Sequence, residues 1–299
     1  MSLVIIGSLA FDTIETPFGR REKIVGGSGT YCSLAASFFT RPRIVGVVGE
    51  DFPDETVAFL KSKKIDLRGL EVRPGKSFFW EGRYGEDPNQ RTTIRTEPNV
   101  YEDFKPQLPP EYRKSEIVFL ANIDPDQQDE ILNQVEKPKL VAMDTINLWI
   151  NQKRDSLLKV LEKVDLYFAN DEETRLLTGE KNLIKAGKKI LEGGPSLVVI
   201  KKGEHGALVL GKDLVFGILA HPCEEVVDPT GAGDSFAGGL MGHLAGCGND
   251  RPAALPRAMA YGTVVASFAL EDFSLRRLQQ ITRGDIDARL ARFEAMLRF

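Results

Sequence analysis

The amino-acid sequence predicts an α/β protein in which helices cover both faces of a mostly parallel central sheet, as a three-layer α/β/α sandwich. Short apolar runs alternate along the 299 residues with helical patterns, an order that is typical of parallel sheets. The apolar runs are continuous, which indicates strands that are buried on both faces. One further segment alternates with period two and predicts a small second sheet.

The elements of the main sheet follow each other in a regular series. The predicted strands cover residues 4–6, 43–48, 117–120, 140–143, 166–168 and 197–200. The predicted helices cover residues 54–63, 127–135, 156–163 and 183–192, and the charged run 285–297 predicts a surface helix. Ligands of such sheets bind at the carboxyl ends of the strands. The polar residues at these ends are Asp51, Asn122, Asp144 and Asn170, and we expect some of them to be ordinary turn residues.

The period-two segment predicts a hairpin that lies apart from the main sheet. Residues 77–84 and 91–96 flank a polar turn that contains Pro88 and Asn89. Phe78, Trp80 and Tyr84 would form one apolar face of this hairpin. A small sheet beside a cleft suggests a lid over a substrate. The alternative is an edge hairpin packed on the core.

Composition narrows the class of protein. A hydrophobic content of 42% with 27% charged residues is ordinary for a soluble chain, and a net charge of −4 gives no reason to expect nucleic acid or an anionic membrane as partner. The three cysteines have no metal-ligand spacing and are expected to be buried thiols in a reducing compartment. The first residues lack a basic region, and no segment has the length of a membrane span. We therefore expect a cytoplasmic protein.

The stretch from Asp228 to Phe236 carries the strongest chemical signal. Gly231 and Gly233 allow a ligand to approach the backbone, and the apolar pattern after them predicts a helix that begins near Asp234. The free N–H groups at a helix start bind anions. An acid in such an anion cradle is useful if it accepts a proton from a hydroxyl that attacks a phosphate. The alternative is a tight turn with Asp234 as the helix cap.

Two better-known phosphate-binding motifs do not fit this stretch. No Gly-Lys-Ser/Thr follows it, as a Walker P-loop would require. It lies late in the chain, whereas the dinucleotide fingerprint follows the first strand.

Several motifs together give the chain a family resemblance. Residues 228–236, the early run Gly26-Gly27-Ser28-Gly29, residues 45–51, the Asn-x-x-Glu element at Asn170 and Glu173, and residues 198–207 occur in one order. In that order they resemble the motifs of the ribokinase-like, or PfkB, carbohydrate and nucleoside kinases. The resemblance spans nearly the whole chain. It implies the ribokinase-like fold as a single domain over residues 1–299, with lid strands from about residues 9–30 and 72–100.

The resemblance assigns roles to the phosphoryl-transfer residues. Asp234 would be the general base, and the backbone amides of Gly231, Ala232 and Gly233 would hold the phosphoryl group as charge develops on it. Asp228 would lie near a monovalent cation, K⁺, that some family members bind.

The resemblance also assigns roles on the acceptor side. Asp12 would accept hydrogen bonds from hydroxyl groups of the acceptor, with a turn at the end of a strand as the alternative. Gly26 and Gly27 would form the hinge of the lid and part of the acceptor pocket. The family usually has asparagine where this chain has Tyr31, so this pocket differs from that of ribokinase. The usual glycine shortly after Asp51 is also replaced.

On the nucleotide side, the resemblance implies ATP and Mg²⁺. Asn170 and Glu173 would organise Mg²⁺ and phosphate through water, although Asn-x-x-Glu is also a common capping box. Lys201 stands where the family often has a threonine, and its charge would neutralise phosphate or be solvated. Two further residues, Gly203 and Gly206, would lie beside the nucleotide. Tyr261 would stack on the base or pack in the core.

The leading hypothesis is an ATP-dependent kinase that phosphorylates a primary alcohol of a small sugar or a nucleoside. A non-catalytic sensor that binds a sugar or nucleotide is the second hypothesis, although it would need neither the base nor the cradle. A dinucleotide-dependent oxidoreductase is disfavoured because no Gly-x-Gly-x-x-Gly follows the first strand. The aromatic face of the hairpin would either pair two lids in a homodimer or cover its own pocket.

Overall fold

The structure is a computed structural model that describes residues 1–248 and 251–297. Within these ranges the strands are β1 (Leu3–Ile6), β2 (Ala10–Thr16), β3 (Gly19–Gly26), β4 (Arg43–Gly49), β5 (Asp66–Arg73), β6 (Phe78–Tyr84), β7 (Arg91–Glu97), β8 (Ile117–Leu120), β9 (Leu140–Asp144), β10 (Leu166–Asn170), β11 (Leu197–Lys201), β12 (Ala207–Gly211) and β13 (Leu214–Ile218). Nine of the described strands form one sheet in the order β13-β12-β11-β10-β9-β8-β1-β4-β5. The seven strands from β11 to β5 are parallel, and β12 and β13 extend the sheet antiparallel.

Helices flank this sheet. They are α1 (Ser28–Ser37), α2 (Asp54–Ser62), α3 (Pro110–Arg113), α4 (Pro125–Leu132), α5 (Asn147–Gln152), α6 (Arg154–Leu161), α7 (Asp171–Thr178), α8 (Leu183–Leu191), α9 (Ala232–Gly246), α10 (Arg251–Ala269), α11 (Arg276–Gln280) and α12 (Arg283–Met296). The predicted α/β class and the mostly parallel sheet are confirmed. Helix α4 begins earlier than predicted because Asp124 caps it by accepting a hydrogen bond from the Asp126 N–H.

Strand β1 shows how the sheet divides the core into two layers. Leu3 and Ile5 belong to the apolar cluster that packs on α1, α9 and α10. Val4 and Ile6 belong to the cluster on the opposite face, with α4, α6 and α8. Successive residues of a strand point to opposite faces, so a continuous apolar run contributes to both layers.

The strand order reverses at β1, which lies between β4 and β8. Open α/β sheets bind ligands at such a switch point, outside the carboxyl ends of the strands. Helix α1 begins here, where the Gly29 N–H donates to the Ser8 carbonyl at 2.9 Å.

Helix α9 approaches α1 closely along a row of glycines. A Cβ at Gly238 would lie 2.4 Å from the Cys32 carbonyl oxygen, and a Cβ at Gly242 would lie 2.7 Å from the Ala36 Cα. On its other side, a Cβ at Gly239 would lie 3.2 Å from the Gly262 Cα of α10. The start of α9 is thereby held beside the switch point.

The second sheet has four strands in the described chain, in the order β3-β2-β6-β7, and it is the sheet that was predicted to act as a lid; we call it the lid. Its strands fall within the residue ranges predicted for the lid. Phe78 packs against Tyr101 with ring centroids 6.0 Å apart, while Trp80 and Tyr84 lie with Ile14 and Phe273. The aromatic residues therefore cover their own chain. A single domain over residues 1–299 stays a prediction.

The cysteine prediction holds for one residue only. All three cysteines are free, but Cys32 alone is buried, whereas Cys223 is half-buried and Cys247 is exposed. Cys247 follows the last residue of α9, where the chain returns to the surface.

No helix in the described ranges combines the length and the apolar character needed to cross a bilayer. The cytoplasmic location stays a prediction.

Candidate active site

The anion cradle is the turn from Pro229 to Gly233 at the start of α9. Gly231 caps the helix with φ +75°, and a Cβ there would lie 2.5 Å from the Tyr31 ring, so both its conformation and its surroundings require glycine. The Ala232 N–H turns back to the Pro229 carbonyl at 3.3 Å. Within residues 1–248 and 251–297 the N–H groups of Gly231 and Gly233 have no protein acceptor. Two of the three predicted amides are therefore free to bind an anion.

Asp234 is the third residue of α9, and its side chain does not cap the helix. The Cys32 thiol donates to its backbone carbonyl at 3.3 Å, which places the residue against α1. Burial, and then the charge of Asp144, raise the pKa of Asp234 to about 6, although Lys201 and Arg91 oppose the shift. Such a carboxylate is ionised at neutral pH and is more basic than an ordinary aspartate.

A buried ion pair supplies a cation to the cradle. Lys201 Nζ lies 2.6 Å from Asp144 Oδ2, and it is 3.4 Å from the position that a Cβ on Gly233 would take. Burial alone would lower the pKa of the lysine, but Asp144 and Glu173 outweigh it and raise that pKa. Lys201 is therefore charged and faces the cradle rather than the solvent. The position of Asp144 at the end of β9 predicted a place at the sheet edge, but not its pairing with Lys201.

The predicted Asn-x-x-Glu element forms a capping box at the start of α7. The Asn170 side chain accepts from the Glu173 N–H, and the Glu173 carboxylate accepts from the Asn170 N–H, both at 2.7 Å. Burial raises the pKa of Glu173 to about 7, while Lys201 opposes the shift. In the described residues no three carboxylate, histidine or cysteine side chains cluster as a metal cage.

The acceptor side contains polar groups that lack protein partners. Asp12 is 4% exposed and lies against Gly26, where a Cβ would be 1.8 Å from its Oδ2. In the part of the chain that the structure describes, this carboxylate accepts no hydrogen bond, and the buried Tyr31 hydroxyl has no partner either. Burial, then the charges of Asp228 and Asp234, raise the pKa of Asp12 to about 8. Both groups are free to bind hydroxyls of a ligand.

Two other predicted residues, Gly27 and Asp228, hold the backbone near this part of the site. Gly27 has φ +94° at the junction of the lid and α1, and a Cβ there would lie 2.4 Å from the Ser8 carbonyl oxygen. Asp228 is buried and holds the turn before the cradle, because its oxygens accept from the N–H groups of Thr230 at 2.9 Å and Ser274 at 3.1 Å.

The turn between β11 and β12 contains Gly203 and Gly206, with φ +53° and +81°. A Cβ at Gly203 would lie 2.1 Å from Asn89 Oδ1, so the tip of the lid hairpin touches this turn. Sequence reasoning placed Asn89 only in a polar turn.

Tyr261 packs in the core instead of facing the cleft. The residue is 4% exposed, its ring lies 4.5 Å from the His243 ring between centroids, and its hydroxyl donates to Asp287 at 2.8 Å. Neighbouring side chains thus occupy the ring and the hydroxyl, so the packing alternative fits this residue and the stacking role does not.

The other polar strand ends are structural. Asp51 accepts from the backbone N–H of Ser77 at 2.7 Å and so ties β4 to the lid. Asn122 accepts from the Trp149 indole at 2.9 Å.

The chain is similar to known kinases in its sequence and in its fold. The model of the pfkB family carbohydrate kinases matches residues 2–280. A cytidine kinase from Thermococcus kodakarensis is 34% identical over 259 residues, which cover 84% of this chain and 90% of that protein. A nucleoside kinase from Methanothermobacter thermautotrophicus is 27% identical, with coverage of 90% and 89%.

Among solved structures, a putative ribokinase II from E. coli in complex with ATP and Mg²⁺ matches with a TM-score of 0.80 at 20% identity. The match covers 97% of this chain and 99% of that one, which establishes the ribokinase-like fold. The motifs, the fold and the family match all agree, and the chain belongs to the pfkB family of carbohydrate kinases.

Proposed function

We propose that this protein transfers the γ-phosphoryl group of ATP to a hydroxymethyl group of a sugar or a nucleoside. The observation that carries the proposal is the position of Asp234, a carboxylate with a pKa of about 6 in the first turn of the cradle helix, where Lys201 lies against Gly233. The relative that is named a cytidine kinase makes cytidine the first acceptor to test.

In this mechanism Asp234 accepts the proton of the attacking hydroxyl. The free N–H groups of Gly231 and Gly233 and the Lys201 ammonium stabilise the negative charge on the phosphoryl oxygens. Asp12 and the Tyr31 hydroxyl orient the acceptor, since an acceptor with several hydroxyls would satisfy both buried groups. The turn with Gly203 and Gly206 binds the nucleotide.

The donor set fits Mg²⁺ that is held mainly by phosphate and water. Mg²⁺ prefers oxygen ligands and keeps several waters, and one oxygen of Glu173 lies outside the capping box. Glu173 and Asn170 would hold the hydrated ion, which supplies positive charge that neutralises the nucleotide phosphates.

Two further proposals concern K⁺ and assembly. Each Asp228 oxygen accepts one N–H bond, which leaves lone pairs that K⁺ can use. A homodimer through the lid would use the large apolar side chains that the lid leaves about half exposed, Phe18 at 47% and Ile94 at 48%. Activity in KCl compared with choline chloride, and the mass in solution, test these two points.

The test of the proposed function is a coupled assay of ADP release with Mg·ATP over a panel of acceptors. The panel contains cytidine and other nucleosides, ribose, fructose and sugar acids. We expect at least one acceptor to raise ADP release well above the rate without acceptor, and mass spectrometry should find one added phosphate. If nucleotide binds and no acceptor is phosphorylated, the sensor hypothesis replaces this one.

The rate should fall in acid. Asp234 acts as the ionised base and its pKa is raised from 3.8 to about 6, so activity is present above that pKa and is lost as the pH falls through it. We expect kcat/KM for the acceptor to fall about tenfold per pH unit below pH 6. Asp12 and Glu173 titrate at higher pH. A Glu173→Gln variant should therefore keep the fall in kcat/KM below about pH 6. A profile of kcat/KM that stays flat down to pH 5 would contradict the role of Asp234.

A further inference from the structure

Strand β7 of the lid begins at the edge of the candidate site. Its first residue, Arg91, is the cross-strand partner of Tyr84 on β6. Cross-strand partners share one face of a sheet, and the Tyr84 hydroxyl lies 3.2 Å from Thr230 Oγ1, immediately before the cradle. Arg91 therefore lies on the same face of the lid as Tyr84, which is the face that contacts the chain beside the cradle.

The turn before Arg91 reaches the nucleotide side. Asn89 lies against Gly203 and its amide donates to Glu204 Oε2 at 3.4 Å. The hairpin thus contacts the main body at two places, Thr230 before the cradle and the turn with Gly203. Arg91 lies in this hairpin, with its guanidinium 5.9 Å from the centroid of the Trp80 ring.

The charge of Arg91 has no counterion among the residues that the structure describes. In the described residues Arg20, Arg83 and Arg95 of the lid form ion pairs with glutamates, and Arg21 donates a hydrogen bond to the Arg20 carbonyl. Arg91 is exposed and forms neither an ion pair nor a hydrogen bond there. Its charge nevertheless opposes the rise in the pKa values of Asp12, Asp234 and Glu173. In the proposed function these carboxylates belong to the acceptor site, the base and the phosphate side, so the positive charge of Arg91 acts on all three.

We propose that Arg91 is a further catalytic residue, which binds the phosphoryl group in transit from the lid side, opposite the cradle. The proposal rests on the proposed function. The acceptor oxygen forms a bond to phosphorus while the bond to the leaving ADP oxygen breaks, and Asp234 takes the hydroxyl proton. Arg91 donates hydrogen bonds to the phosphoryl oxygens and undergoes no covalent change. A guanidinium suits this task because its planar fork matches phosphate geometry.

The test compares Arg91→Gln, Arg91→Lys and the control Arg83→Gln. Arg83 lies on the other face of the lid and pairs with Glu15, so its variant removes the same charge without touching the cleft. We expect Arg91→Gln to lower kcat roughly 10²–10³-fold, in the range seen for the loss of one donor to a transition state. Arg91→Lys should recover part of that loss, and Arg83→Gln should stay near wild type.

A binding measurement separates this proposal from the proposed function, because it needs no acceptor. Calorimetry gives the dissociation constants of Mg·ADP and of Mg·AMP-PNP, whose ratio reports contacts to the γ-phosphate. We expect Arg91→Gln to lower the ratio of the Mg·ADP dissociation constant to the Mg·AMP-PNP dissociation constant about tenfold, while the affinity for ADP stays constant. This result is expected even if no acceptor is found. An unchanged ratio, a loss confined to KM for the acceptor, or an equal loss in Arg83→Gln would overturn the role of Arg91.

Discussion

Replacing Asp234 with asparagine is expected to lower kcat by roughly 10²–10⁴-fold, the usual contribution of a general base. Asparagine keeps the size of the side chain but cannot take a proton at neutral pH. The free N–H groups of Gly231 and Gly233 are unchanged in this variant, so the dissociation constant of Mg·ADP should stay within about twofold. Kinetic assays measure the change in rate, and calorimetry measures the dissociation constant of Mg·ADP.

The matched control is Asp155→Asn, which neutralises an exposed carboxylate on α6 and should keep full activity. A near-normal rate for Asp234→Asn would remove this residue from the mechanism. A large loss of ADP affinity would instead indicate that Asp234 acts in binding.

Replacing Lys201 with methionine is expected to harm both stability and rate. The change leaves the Asp144 carboxylate, which is buried, without its partner at 2.6 Å. Breaking a buried pair in this way costs about 3–5 kcal/mol. The variant also removes the cation beside Gly233, and we expect a loss in kcat of roughly 10²–10³-fold, as for other groups that stabilise transition-state charge. Denaturant unfolding and steady-state kinetics measure the two effects.

A double variant separates the two effects. Asp144→Asn with Lys201→Met removes both charges, so most of the lost free energy of unfolding should return while kcat stays low. If the rate returns together with stability, Lys201 serves the fold alone. If the single variant is as stable as wild type, Asp144 is better solvated than its burial indicates.

The sequence predicted the sheet well because the evidence for a buried parallel strand is local. The runs at residues 4–6 and 166–168 are apolar enough to identify without any knowledge of their neighbours. The cradle was predictable for the same reason, since Gly231, Gly233 and Asp234 act within one helical turn. The family resemblance added Asp12, which no local pattern singles out.

The features of the candidate site that the sequence did not predict depend on contacts between segments that are distant in the chain. Asp144 and Lys201 are 57 positions apart in the sequence, which gives no indication of an ion pair; the pair arises only because their strands end at the same edge of the sheet. Arg91 is one of several charged residues in a polar hairpin, and only the register with Tyr84 distinguishes it. Tyr261 lies near the expected helix, but its side chain points into the core, which sequence position alone does not determine.

The glycines of α9 set a limit on which substitutions this family member can tolerate. Gly238 and Gly242 lie up to ten positions from Ala232, which corresponds to about 15 Å of helix. Because they contact α1 through backbone atoms, a larger side chain there would push the whole helix and displace its first turn. Positions that never meet a substrate therefore constrain catalysis as strictly as the residues that do.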